Sequence, residues 1–328
     1  MNPLQKAPIG KTGLEVTRLG LGTAPLGGLY EDVPEARALS TVERALSLGI
    51  NFLDTAPHYG HGKAECYLAK ALAGVPRSSY VLGSKVGRLL VPADRSQLEN
   101  FGFDNPLPFN PVFDFSYDGV MRSFEESRKR LNIDRIDLLH IHDPDEHYAE
   151  AIQVAYPALR KLRREGVIRA IGAGMNQAEL LARFAREGDF DCFLLAGRYT
   201  LIDHTGLKEL LPLCVQKGIG IIIGGPYNSG VLASGARPEA KFDYADAPKE
   251  ILQKVSKVAE VSKQYSVPMK AAALQFVLAH PAVVSVIPGA RSTEELEENF
   301  RMMDHPIPKE FWTELRKAGL IPEEAPTP

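Results

Sequence analysis

The chain has 328 residues, 45% hydrophobic and 24% charged, with a formal net charge of −3. This balance is that of an ordinary globular protein with ample apolar material for one large core. It carries no long basic run to favour nucleic acid or an anionic membrane surface, and no apolar stretch approaches membrane-spanning length.

The first residues, Met1-Asn-Pro-Leu-Gln-Lys6, lack the apolar centre of a signal peptide. Pro8 to Val16 reads as a small hairpin with Lys11-Thr12-Gly13 at its tip, placed to close the bottom of a barrel. A first strand, whose Gly20-x-Gly22 lacks the third glycine of a dinucleotide fingerprint, then runs from Arg18 into the glycine-rich loop Thr23-Ala-Pro-Leu-Gly-Gly28. Residues 35–48 have helical period, with Ala38, Val42, Ala45 and Leu46 on one face. A second strand spans 50–54, a helix 64–73 and a third strand 80–85.

Residues 87–115 break this rhythm. They combine five phenylalanines (101, 103, 109, 113 and 115) with Pro106, Pro108 and Pro111. A long connection this rich in aromatics is expected to act as a lid over the top face rather than as a disordered loop. Alternation then resumes: helix 117–131, strand 136–141, helix 149–165, strand 167–173, helix 178–186, strand 190–196, helix 206–217 and strand 219–223. After the loop Gly224–Gly230 come helices 248–265 and 269–279, strand 283–287, and a helix running to Asn299. The proline-bearing tail after it is expected to fray.

Eight strand–helix units without a linker predict an α/β fold, a closed (β/α)8 barrel with an N-terminal hairpin and a long lid loop after strand 3, in a single domain over residues 1–328. Three scattered cysteines, Cys66, Cys192 and Cys214, form no C-x-x-C pair, which points to reduced thiols and a cytoplasmic location.

The chemistry concentrates at strand ends. Asp54 and Tyr59 sit on the Pro/Gly-rich loop Asp54-Thr-Ala-Pro-His-Tyr59-Gly60, Lys85 ends Tyr80-Val-Leu-Gly-Ser-Lys85, and Ile136-Asp-Leu-Leu-His-Ile-His142 offers His140 and His142. Catalytic groups in barrels collect at such junctions. His140 and His142 share a strand face; with Asp143 they make a weak candidate metal site, which no further ligand set completes.

Taken together, these stretches resemble the aldo-keto reductases from the Gly10 region to Asn299. The resemblance implies a catalytic tetrad of Asp54, Tyr59, Lys85 and His142, with Tyr59 carrying the proton and Lys85 lowering the phenol's pKa. Asp54 would hold Lys85, and His142 would orient the substrate oxygen. It also implies a nicotinamide cofactor. Thr23, Ala24 and Asn176 lie by its nicotinamide, Ser229, Gly230 and Leu232 form a pyrophosphate strap, Gly289 and Arg291 lie at a helix N-terminus, and Glu298 and Asn299 meet the adenine. Ala196 stands where the family has a carboxamide-binding glutamine, and Arg198 and Tyr199 just after it are the candidate substitutes. Tyr227 is the candidate to stack on the nicotinamide, since Gly224 occupies the usual aromatic position.

NADP-preferring members place cations where this chain has Gly289 and Glu295, so NAD is expected, with Arg291 leaving NADP open. The branch resembled is that of the aldose dehydrogenases. It implies carbohydrate metabolism: oxidation of the anomeric C1 hydroxyl of an aldose of L-fucose, L-galactose or D-threo type to the lactone. His58, His61, Asp143, Asp145 and Asn228 are the expected polar partners of the sugar. The alternatives are a broad-range NADPH-dependent aldehyde or ketone reductase, a non-catalytic cofactor-sensing barrel, and a Schiff-base lyase acting through Lys85. The sequence leaves the oligomeric state open.

Overall fold

The computed structural model describes residues 1–328. Eight parallel strands, Leu21–Gly22, Phe52–Asp54, Val81–Val86, Leu138–His142, Ala170–Met175, Cys192–Ala196, Gly220–Gly224 and Val283–Ile287, follow one another around a single sheet in chain order. The first strand meets the last through single parallel bridges, Leu19 to Val286 and Gly22 to Gly289, which bring the ends of the sheet together as a barrel. Helices packed outside separate successive strands, because a buried parallel strand can return only by a crossover.

Strand alternation sorts the side chains into two cores. The inner one runs along the barrel axis through Phe52, Leu138, Cys192, Leu194 and Ile222. Ile9, Leu14 and Val16 of the N-terminal hairpin plug its lower end, with Lys6–Pro8 paired to Glu15–Thr17. The outer core lies between sheet and helices, where Leu53, Leu82, Leu139 and Ile171 meet residues such as Val42, Leu68, Phe124 and Leu159. Each fully buried aliphatic side chain of this kind stabilises the fold by about 1.5–3 kcal/mol relative to exposure.

Several expectations change. The long connection after the third strand contains its own antiparallel hairpin, Arg88–Pro92 with Phe109–Phe113. A second short hairpin, Lys241–Phe242 with Ala245–Asp246, stands in a stretch where the sequence showed no element. The helix expected over 149–165 passes through a five-residue π turn, Ala151–Ala155, just before Pro157. Proline has no N–H for the regular ladder, so the turn widens there. The tail does not fray: Leu320, Ile321 and Ala325 are buried, and Arg316 donates to the Ala325 carbonyl at 2.9 Å. No helix is long and apolar enough to cross a membrane.

Candidate active site

Register decides which side chains reach the top of the barrel. Phe52 points to the axis, so two residues later Asp54 does as well. From Val81 the same alternation brings Lys85 inward, and from Leu138 it brings His140 and then His142. Lys85 pairs in register with His140, and His142 with Gly174. The fifth strand makes room with a glycine: a β-carbon on Gly172 would fall 2.3 Å from His140 Nδ1.

Lys85 is the hub. Its Nζ donates to Asp54 Oδ2 at 2.7 Å and to the Thr55 carbonyl at 2.9 Å, and it lies 4.6 Å from the centre of the Tyr59 ring. Two of the three ammonium protons are thereby held, in a position that is 1% exposed, and the third is left towards Tyr59. Burial alone would lower the Lys85 pKa, but Asp54 and Tyr59 outweigh it and hold the ammonium above its ordinary value. Burial pushes Asp54 up from the usual carboxylate range while Lys85 pulls it back, and Asp54 Oδ1 has no partner. For Tyr59 the expectation reverses. Lys85 does lower the phenol's pKa, but burial is larger and Asp54 adds to it, so the net shift is upward.

The His142 ring lies 6.0 Å from the Tyr59 ring, edge to face. Burial, with the Arg88 and Lys85 cations, drives its pKa well below the ordinary imidazole value, so it is neutral near pH 7. His140 sits one layer lower, pushed down to about 3 by burial and Lys85, with neither ring nitrogen hydrogen-bonded. It is a core histidine, fully buried. No group of three or more His, Cys, Asp or Glu side chains is placed to hold a metal ion.

Above these residues lies a two-lobed groove. The inner lobe, about 170 Å³, is floored by Asp54 and Tyr59 and bounded by Ala24, Asn176, Arg198 and Tyr244. The outer lobe, about 400 Å³, is lined by Tyr227, Ser229, Gly230, Gly289, Arg291, Glu295, Glu298 and Asn299. Pro25, Tyr30, Ser229 and Gly289 border both lobes, so the groove is continuous. Small residues along its walls, and the buried, unpartnered Oδ1 of Asn228 beside the inner lobe, fit an extended dinucleotide.

Not every expected contact is there. Thr23 is fully buried with its hydroxyl on the Asp54 carbonyl at 2.9 Å, so it braces the site and Ala24 lines it. Leu232 is a core residue outside both lobes. Tyr227 belongs to the outer lobe, donating to Asn299 Oδ1 at 2.7 Å, because the chain turns at Gly225 with φ +56°. It does not border the lobe floored by Tyr59. Tyr199 packs against Phe276 and His280 in the core, while Arg198 lines the inner lobe and pairs with Asp243 at 2.7 Å.

Of the expected sugar partners, His58 and Asp143 stand beside His142, the rings of His58 and His142 being 6.0 Å apart. His61 is buried against Phe101 and Phe103, and Asp145 accepts from Gln177 at 3.2 Å. The lid's Phe101 and Phe103 pack edge-on to His58 at 5.5 and 5.3 Å, so the aromatic stretch does cover this corner of the site. Sequence reasoning missed Arg88, Tyr30 and the tip Asp243-Tyr244, none of which lies at the end of a barrel strand.

Comparison with known proteins adds three findings. The profile of the aldo/keto reductase family matches residues 18–319. Pyridoxal 4-dehydrogenase of Microbacterium luteolum is 43% identical, over 97% of this chain and 98% of its own, and D-threo-aldose 1-dehydrogenase of a Pseudomonas species is 38% identical, over 94% and 96%. Among solved structures, a holo-form aldo-keto reductase of Bacillus halodurans superposes with a TM-score of 0.77 at 24% identity, covering 98% of this chain and 99% of that one.

Proposed function

Since this chain belongs to the aldo/keto reductase family and is an oxidoreductase, we propose that it oxidises a cyclic hemiacetal, foremost an aldose at C1, to the lactone with NAD. The observation that carries this reading is the buried Lys85 ammonium, held by Asp54 and the Thr55 carbonyl 4.6 Å from the centre of the Tyr59 ring, beside the neutral imidazole of His142. A nicotinamide bound in the groove supplies the hydride acceptor for C1. The chain's part is the proton. Lys85 stabilises the phenolate form of Tyr59, which takes the proton from the anomeric hydroxyl and becomes the neutral phenol. His142, uncharged, orients that oxygen without competing for the proton.

The relatives' names support the substrate class. An aldose closes on itself as a hemiacetal, and the aldehyde of pyridoxal has a neighbouring hydroxymethyl group that can do the same. NAD is favoured over NADP because the one arginine at the outer lobe is already engaged. Arg291 donates from Nη1 to Glu31 at 2.6 Å and from Nη2 to Glu295 at 2.5 Å, and Lys270 is paired with Glu298 at 2.5 Å. A 2′-phosphate would meet two carboxylates around a neutralised guanidinium.

One observation favours the reverse direction as a second reading: burial holds the Tyr59 phenol protonated, ready to act as an acid on a carbonyl. Steady-state assay of L-fucose, L-galactose, D-arabinose and pyridoxal with NAD and NADP, followed by reduced-nicotinamide absorbance, tests both. Turnover of a hemiacetal with NAD is the expected result. Reduction of simple aldehydes with NADPH and no hemiacetal oxidation would establish the second reading instead.

A further inference from the structure

The hemiacetal reading leaves open how the site selects among substrates, and a pair of charges beside His142 bears on this. Asp143 directly follows His142, and its backbone is left-handed at φ +44°, a conformation non-glycine residues seldom adopt. Its amide donates to the Gly174 carbonyl at 3.0 Å, which fixes that turn. The carboxylate is folded back over the site, with Oδ2 3.5 Å from His142 Nε2 and 2.8 Å from Arg88 Nη2.

Arg88 opens the lid hairpin. Its side chain is only 11% exposed and its guanidinium lies 4.2 Å from the centre of the Phe113 ring, a stacking contact that restrains it. Both contacts to Asp143 fall on Oδ2, so Oδ1 remains for a ligand.

We propose that Asp143, positioned by Arg88, is a specificity-determining residue that grips the hydroxyl on the carbon next to the reacting C1. The reason is spatial. The oxygen being oxidised must lie against Tyr59 and His142. A carboxylate one hydrogen-bond length beyond that imidazole then reaches the vicinal oxygen, which in a sugar lies about that far from the first. A carboxylate is the strongest acceptor a side chain offers a hydroxyl. The plainer role, a clamp that ties the lid to the barrel, predicts equal losses for every substrate, so the two separate experimentally.

The inference rests on the proposed hemiacetal oxidation, and the test separates the two. In the full-length protein, kcat/KM is measured for L-galactose and 2-deoxy-L-galactose in the parent, Asp143→Ala, Asp143→Asn and Arg88→Gln, with NAD affinity followed by fluorescence quenching. In Asp143→Ala the loss for the hydroxylated sugar is expected to exceed that for the deoxy sugar by about ten- to hundredfold. Asp143→Asn, close in size and still able to accept, is expected to recover part of that gap, and Arg88→Gln to show it in weaker form. NAD affinity should stay within about threefold of the parent in all of them. Equal losses for the two sugars overturn the proposal while leaving the enzyme a sugar dehydrogenase. A parent that oxidises pyridoxal but neither sugar overturns it while leaving the hemiacetal class intact, and a parent that oxidises no hemiacetal removes both.

Discussion

Tyr59 and Asp54 both touch Lys85, yet removing each should have different consequences. The Tyr59 hydroxyl faces the groove, whereas Asp54 is 1% exposed and supplies the only carboxylate in contact with Lys85. Tyr59→Phe is therefore expected to cut kcat at least about 100-fold while costing at most about 1.5 kcal/mol of stability. Asp54→Ala should lose activity and about 3–5 kcal/mol, because it leaves a buried ammonium without its counter-charge. Urea denaturation beside turnover measures both; a Tyr59→Phe protein with the parent's kcat would remove the phenol from the chemistry. Asp54 and Lys85 were legible in the sequence because each lies at the end of a strand whose alternation fixes which way it points, whereas Tyr59, on the loop after Asp54, was legible only through the family resemblance of that loop. Thr23 and Leu232 were placed near the groove but turn away from it, since a motif gives a neighbourhood and packing gives a direction. Arg88 had no signal at all: it lies in a segment without periodicity, and only the folded lid carries it to Asp143.

At the scale of elements, the fifth barrel strand and the helix after the eighth each support a prediction. Ala170–Met175 passes beneath His140 with a glycine at 172, where an added β-carbon would fall 2.3 Å from the imidazole and 2.7 Å from the Cys192 carbonyl. The second atom is backbone and cannot rotate aside, so Gly172→Ala is expected to cost about 1–3 kcal/mol, read as a lowered denaturation midpoint. The helix Thr293–Asp304 carries Glu295 in its first turn, gripping Arg291 through Nε and Nη2. Glu295→Gln weakens that grip and removes one negative charge from the rim, so the NADP-to-NAD ratio of kcat/KM should rise about tenfold or more. No change in the ratio would mean that the adenosine ribose lies elsewhere. The eight-unit barrel was readable because strand and helix periods differ so plainly along the chain. The hairpin Lys241–Phe242 with Ala245–Asp246 was not, because two-residue strands carry no period, and the tail was misjudged because proline content says nothing about the contacts of Leu320 and Ile321.

Across the whole molecule, the same burial that tunes the site makes the fold sensitive to acid. His140 and His142 are almost fully enclosed, and burial lowers the pKa of both, that of His140 to about 3. In the unfolded chain each titrates near ~6.5. Below that value the unfolded state takes up protons that the folded state refuses, so stability is full above about pH 6.5 and falls as pH drops, by up to about 1.4 kcal/mol per histidine per pH unit. Asp54 and Asp143 act in the opposite sense. Their raised folded-state values mean they bind protons more readily when folded, which favours the fold at lower pH and loses that advantage as pH rises from the unfolded value of about 4 through the folded one. A variant isolates the histidine contribution from this opposing one. Replacing His140 with Gln keeps a polar side chain of similar reach but removes the titration. Its stability, measured by urea denaturation at pH 7 and pH 5, should fall less between the two than the parent's, by about 1–2 kcal/mol. Because burial also lowers the His142 pKa well below its ordinary value, the turnover rate should show no imidazole step near pH 6.5. Parallel pH dependences of stability in parent and variant would mean that His140 accepts a proton inside the folded barrel, and the electrostatic picture built around Lys85 would have to be redrawn.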